Sequence, residues 1–74
     1  MLSDEQFLNA ALRGTAEQCE TVLEECHDRE RAETLARLLE RFASRDNQDA
    51  LAWAELLEEM HPGLEVKFRP QAAT

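Results

Sequence analysis

The sequence predicts an all-α protein, a compact bundle of three to four short helices with a short extended C-terminal tail. Apolar residues recur at helical spacing along most of the chain. Ser3 and Thr15 are each followed three residues later by Gln, a pattern typical of helix starts. Only two glycines and two prolines are available for turns. Seventy-four residues make one small domain at most; we divide it into a helical domain, 1–63, and a tail, 64–74.

The first two helices are predicted to form a hairpin. Gly14 should end helix 1 in the left-handed conformation that favours glycine, and Thr15 with Gln18 should start helix 2. The apolar face of helix 1 consists of Phe7, Leu8, Ala11 and Leu12. Helix 2 directs Cys19, Val22, Leu23 and Cys26 inward and Glu17, Glu20, Glu24 and Glu25 outward.

A helix break is predicted at His27-Asp28. In one continuous helix, the apolar stripe of helix 2 and the Leu-rich stripe that follows would point to nearly opposite sides. With Asp28 as N-cap, both stripes can face one core, and helix 3 then spans roughly Arg29 to Ser44. The alternative is one long helix whose two halves face different neighbours. The stripe of helix 3 contains Ala32, Leu35, Leu39 and Phe42.

Helix 4 and the tail complete the chain. The helix follows a polar turn at 44–47 and stops at His61-Pro62-Gly63. Its main apolar face carries Ala50, Trp53, Ala54, Leu57 and Met60. Leu64–Phe68 then alternates apolar and charged residues, which is strand-like, and Pro70 closes it. The tail could pack on its own core, pair with a sister subunit or add to a partner. The sequence favours the last two, because Glu65, Lys67 and Arg69 form a polar face.

One local stretch resembles a known motif. Phe7 to Gly14, followed by Glu17, Val22 and Leu23, is similar to the helix pair of an ankyrin repeat. The sequence holds one copy, without the Thr-Pro-Leu-His entry, whereas a solenoid needs about three repeats to bury its faces. The stretch therefore predicts an ordinary tight helical hairpin, and no function is carried over.

The cysteines and histidines do not suggest a chemical site. Cys19 and Cys26, seven residues apart on one helix, would have Cα atoms roughly 10 Å apart, too far for a disulfide. They are predicted to be free core residues in a reducing compartment. Cys26 and His27 point about 100° apart, which disfavours zinc. No nucleophile–base pair or phosphate loop is visible. We therefore expect no enzyme activity, cofactor, metal or small-molecule substrate.

Charge is unevenly distributed along the chain. The formal net charge is −8, yet helix 3 is rich in arginine, with Arg37, Arg41 and Arg45 on one face. That face could resemble a DNA-recognition helix, but a strongly acidic domain repels a polyanion, so direct nucleic-acid binding is disfavoured. Solvated ion pairs such as Glu33–Arg37 are the simpler interpretation. The acidic helices on either side could imitate a phosphate backbone or simply keep the protein soluble.

Helices 3 and 4 carry apolar residues on more than one side, which predicts burial against another chain. The residues expected at this partner or dimer interface are Leu35, Leu38, Phe42, Leu51, Trp53, Leu56, Met60, Val66 and Phe68. We therefore expect a homodimeric, phage-like regulator or inhibitor that covers a surface of a protein partner. The alternatives are an acidic nucleic-acid mimic and a dimeric helical transcription regulator. No export signal or membrane span is visible, so a cytoplasmic location is expected.

Overall fold

The computed structural model describes residues 1–68 and contains four α-helices in that range. They are α1 (Asp4–Arg13), α2 (Ala16–Glu25), α3 (Arg29–Phe42) and α4 (Gln48–Met60). The predicted all-α class and the break before α3 are both confirmed, and no strand occurs in residues 1–68. None of the helices in this part of the chain is long and apolar enough to cross a membrane.

Each of the four helices is capped at its N-terminus by the side chain of the residue before its first turn. Ser3 and Thr15 form the two predicted capping boxes: each hydroxyl oxygen accepts a hydrogen bond from the backbone N–H of the Gln three residues on, and each backbone N–H donates to the side-chain oxygen of that Gln. Asp28 accepts from the N–H of Glu30, and Asn47 accepts from that of Ala50. These bonds satisfy amide groups that have no partner inside the helix, which explains why the helices begin at these residues.

The prediction for Gly14 is wrong. Its φ of −81° and ψ of 169° are extended rather than left-handed. Within residues 1–68, the glycine with positive φ is Gly63, at 92°. Gly14 is required for space instead: a Cβ there would overlap the carbonyl oxygen of Ala10 and lie 2.9 Å from Cβ of Gln18. The absent side chain lets α2 fold back closely on α1, as the predicted tight hairpin requires.

Helix α1 is the centre of the bundle. It packs against each of the other three helices, and α3 also packs against α4. The largest fully buried side chains are Phe7, Val22, Cys26, Leu35, Leu39 and Leu57. Every helix contributes at least one of them, so the four apolar stripes meet in a single core.

A half-buried ion pair joins three elements at one end of the core. Arg31 Nε donates to Glu25 Oε1 at 3.0 Å, and Arg31 Nη2 donates to the Leu2 carbonyl at 2.9 Å. The backbone N–H of Leu2 donates to Glu25 Oε2 at 3.1 Å. The guanidinium also lies 4.4 Å from the centre of the Phe7 ring. The prediction that Glu25 points outward is therefore wrong, because its carboxylate serves both Arg31 and Leu2.

The tail packs on the domain's own core. Val66 is buried, and Leu64 and Phe68 pack against the core cluster. The backbone N–H of Val66 donates to Glu58 Oε2 at 3.0 Å, and that of Lys67 donates to Glu40 Oε2 at 2.6 Å. These carboxylates accept the backbone hydrogen bonds that the carbonyl groups of a neighbouring strand would accept in a sheet. Of the three arrangements that the sequence allows, the structure therefore shows residues 64–68 in the first, packed on the domain's own core, rather than in either of the two that the sequence favours. Arg69 and Pro70 lie outside the described residues.

Candidate protein-binding groove

An open groove runs between α1 and α3. Its volume is about 730 Å³. Leu8 and Leu38 are half-buried apolar residues that also pack against the core. The complete lining is Asp4, Glu5, Leu8, Asn9, Thr34, Arg37, Leu38, Arg41 and Phe42. The groove therefore combines apolar side chains with charged ones, a composition suited to binding a protein surface.

Phe42 is the most unusual residue of the groove. It is 62% exposed, and the other exposed large apolar residue in the described range is Met1. The prediction that Phe42 belongs to the inward stripe of α3 is therefore wrong: it is the last residue of that helix and is not part of the core cluster. Leaving most of a phenylalanine in water forgoes part of the roughly 1.5–3 kcal/mol that its burial would contribute. An aromatic side chain of this kind is a typical interface anchor.

The large apolar residues of α3 are divided between the core and the groove. Leu35 and Leu39 are fully buried in the core. Leu38 and Phe42 are four residues apart, so they are neighbours on the helix surface, and both line the groove. The adjacent Arg41 guanidinium lies 5.4 Å from the centre of the Phe42 ring, within cation–π range.

The two rims of the groove carry opposite charge. Asp4 and Glu5, in the first turn of α1, form the acidic rim, whereas Arg37 and Arg41 on α3 form the basic rim. All four residues are exposed. Within residues 1–68, the ion pairs are Arg29–Glu33, Arg31–Glu25 and Lys67–Glu65, so neither rim is neutralised internally by a close pair. Glu33 thus pairs with Arg29 rather than with Arg37, which instead donates to Thr34 Oγ1 at 3.4 Å.

The nine residues expected at an interface occupy different places. Leu38 and Phe42 line the groove. Leu35 and Val66 are buried in the core, and Trp53, Met60 and Phe68 are half-buried against it. Leu51 and Leu56 are half-buried on α4. A role in binding stays a prediction for every one of them, but the structure brings only Leu38 and Phe42 together in the groove.

The four groove residues on α1, Asp4, Glu5, Leu8 and Asn9, were not singled out as binding residues from the sequence. Leu8 is assigned there to the inward face, and Asp4 and Glu5 count only as acids of the first turn. Asp4 and Leu8 are four residues apart and therefore neighbours on the helix surface. That spacing shows that they share a face, but it does not show which helix lies beside that face.

The cysteines are free and inward. Cys26 is fully buried, and burial, together with the nearby Glu25 charge, raises the pKa of its thiol to about 12. Cys19 Sγ donates to the Ala10 carbonyl at 3.4 Å. The His61 ring Nε2 lies 2.6 Å from the Cys26 carbonyl oxygen, at the end of α2. Within residues 1–68, no group of three or more His, Cys, Asp or Glu residues is placed to hold a metal ion.

Comparison with known proteins identifies no relative. No protein-family model matches the chain, and neither curated proteins nor solved structures give a significant match. Function must therefore be inferred from the residues themselves.

Proposed function

We propose that this protein acts by binding another protein through the α1–α3 groove, as a small acidic regulator or inhibitor that covers a surface of its partner. The observation that carries the proposal is Phe42, which is 62% exposed at a groove already containing Leu8 and Leu38. Binding a complementary side chain there would remove apolar surface from water. The free cysteines support a reducing, cytoplasmic setting for this activity.

The charged rims add orientation to this apolar anchor. Exposed charges contribute little to affinity individually, but they select partners with complementary potential and exclude those with like charge. A complementary partner surface would present an apolar side chain to Leu38 and Phe42. A basic group on one side of that side chain would face the acidic rim, and an acidic group on the other side would face the basic rim. The groove thus favours a specific partner over general hydrophobic adhesion.

Site-specific photo-cross-linking tests the proposal. Benzoylphenylalanine replaces Phe42 in one variant and Ala52, an exposed residue of α4, in the control. Both proteins are irradiated in cells of the source organism and the products are analysed by mass spectrometry. We expect a discrete protein adduct from position 42 and none of the same mass from position 52. No adduct at position 42, or identical adducts at both positions, would contradict binding through the groove.

The acidic side of α2 favours a second candidate function, nucleic-acid mimicry. Glu17, Glu20 and Glu24 lie on one face of that helix, and all three are exposed. Such a row could occupy the basic site of a DNA- or RNA-binding protein, and its binding would weaken steeply with salt. Changing these three residues to Gln separates the candidates: mimicry would be lost, whereas groove binding at Phe42 would persist.

A further inference from the structure

We infer that the groove binds a second copy of this chain, in a symmetric dimer that places the acidic rim of each subunit on the basic rim of the other. This rests on the proposed use of the groove for protein binding and names the occupant of the groove when no different protein partner is bound to it. The argument depends on the arrangement of the four charged residues, Asp4 and Glu5 on α1 and Arg37 and Arg41 on α3.

A twofold interface requires a surface that complements itself, because both subunits present the same patch. The α1–α3 groove meets this condition with one choice of axis. A half-turn about an axis parallel to the groove exchanges its two sides, so Asp4 and Glu5 of one subunit face Arg37 and Arg41 of the other. A half-turn about an axis across the groove keeps the sides in place and sets acid against acid. Electrostatics therefore selects the parallel axis.

The apolar residues fit the same rotation. Phe42 belongs to the α3 side of the groove and Leu8 to the α1 side. The half-turn carries Phe42 of one subunit to the α1 side of its partner's groove, which is the side that carries Leu8. Each Phe42 then leaves water, and the contact occurs twice by symmetry. The apolar contacts supply the attraction and the rims select the orientation.

The rim charges can be changed with little effect on the core, since all four side chains are exposed. One variant, R37E/R41E, has two acidic rims, and a second, D4K/E5K, has two basic rims. Each variant opposes like charges in its own dimer. An equimolar mixture, however, restores opposite charges at both contacts of a mixed dimer. This rescue does not follow if the charges face solvent or a different surface.

Sedimentation equilibrium on the whole chain provides the test, with differently tagged variants to identify mixed species. We expect the wild type to dimerise at micromolar concentration, each variant to self-associate at least about tenfold more weakly, and the mixture to recover the wild-type affinity. Circular dichroism checks folding. Acidic residues are favoured in the first turn of a helix, so lysines there could destabilise α1. In that case the variant D4N/E5Q is used instead of D4K/E5K, and it should also self-associate more weakly than the wild type.

Three results would overturn the inference. They are a wild type that stays at the 8.5 kDa monomer mass, a dimer that tolerates both charge reversals, and a mixture that associates no better than its components. The first leaves the proposed function testable by itself, because a cross-link from position 42 to a different protein would still support groove binding. A cross-linked product at twice the chain mass would instead agree with the dimer.

Discussion

The indole N–H of Trp53 donates a hydrogen bond to the backbone carbonyl of Ala11, with 2.8 Å between the nitrogen and the oxygen. A longer α1 would supply that carbonyl with the N–H of Thr15, but the Thr15 N–H donates to the side chain of Gln18 as α2 begins. Trp53 thus joins α4 to the C-terminal end of α1, which makes this residue a structural tie within the chain.

Replacing Trp53 by Phe should test that tie. The variant keeps most of the apolar surface but leaves the Ala11 carbonyl without its donor, so we expect a loss of about 1–2 kcal/mol in the free energy of unfolding. Urea unfolding followed by circular dichroism measures it. Glu55→Gln, an exposed change on the same helix, is the control and should change stability by less than about 0.5 kcal/mol. Equal effects would show that the bond contributes nothing.

The half-buried pair of Glu25 and Arg31 should matter more than the exposed pair of Glu33 and Arg29. The first pair is 16% and 15% exposed, whereas the second is 41% and 50% exposed. Glu25→Ala removes partners from both Arg31 and Leu2 and should cost about 1–3 kcal/mol. Glu33→Ala removes one solvated pair and should cost at most about 0.5 kcal/mol. Denaturant unfolding of both variants decides whether burial sets the difference.

The tail should be structural. Val66→Ala removes two carbons from a buried site and should cost about 1–2 kcal/mol, whereas Lys67→Ala changes a side chain that is 79% exposed and should be nearly neutral. Deleting residues 64–74 should destabilise the domain more than Val66→Ala does, since Leu64, Val66 and Phe68 all pack against the core. Thermal unfolding of the truncated chain at the wild-type temperature would contradict this role.

The two glycines should respond differently to alanine. At Gly14 a Cβ would overlap the Ala10 carbonyl, so Gly14→Ala should cost about 2–3 kcal/mol through forced separation of α1 and α2. At Gly63 the nearest atom to a Cβ is Arg29 Nη2, 3.7 Å away, and the cost is that of a positive φ, about 1–2 kcal/mol. Gly63→Asn should recover part of that loss, because asparagine tolerates this conformation, whereas Gly14→Asn should not. Unfolding midpoints of the four variants provide the comparison.

Burial should prevent alkylation of the Cys26 thiol in the folded protein and should make the free energy of unfolding depend on pH in the alkaline range. The folded-state pKa of its thiol is raised to about 12, above its usual value near 9. The folded protein therefore holds the proton more tightly, so this contribution to stability is complete below about pH 9 and declines as pH rises toward 12. Cys26→Ala should remove this slope from urea titrations. At pH 8, iodoacetamide should modify Cys26 only after unfolding, as mass spectrometry of the labelled peptides would show.

Much of the helical pattern could be predicted because its causes are local. The capping boxes at Ser3 and Thr15 join residues three positions apart, and Asp28 and Asn47 bond to amides two and three residues away. Helical periodicity likewise shows which residues share a face. Two of the errors occur where a distant residue changes a local preference: Glu25 bonds to Leu2 and Arg31, and the tail amides bond to Glu58 and Glu40.

By itself the sequence determined the class, a bundle of three to four helices and the starting residues of the first three, since capping bonds and apolar spacing operate within one or two turns. Only the tertiary structure decided that Phe42 lies at an open groove and that Leu8, Asp4 and Glu5 face it from α1. The groove lies between helices whose residues are about thirty positions apart, and which helix faces become neighbours depends on how the whole core packs. Side-chain spacing within one helix specifies a face, but the packing of the bundle specifies what lies opposite that face.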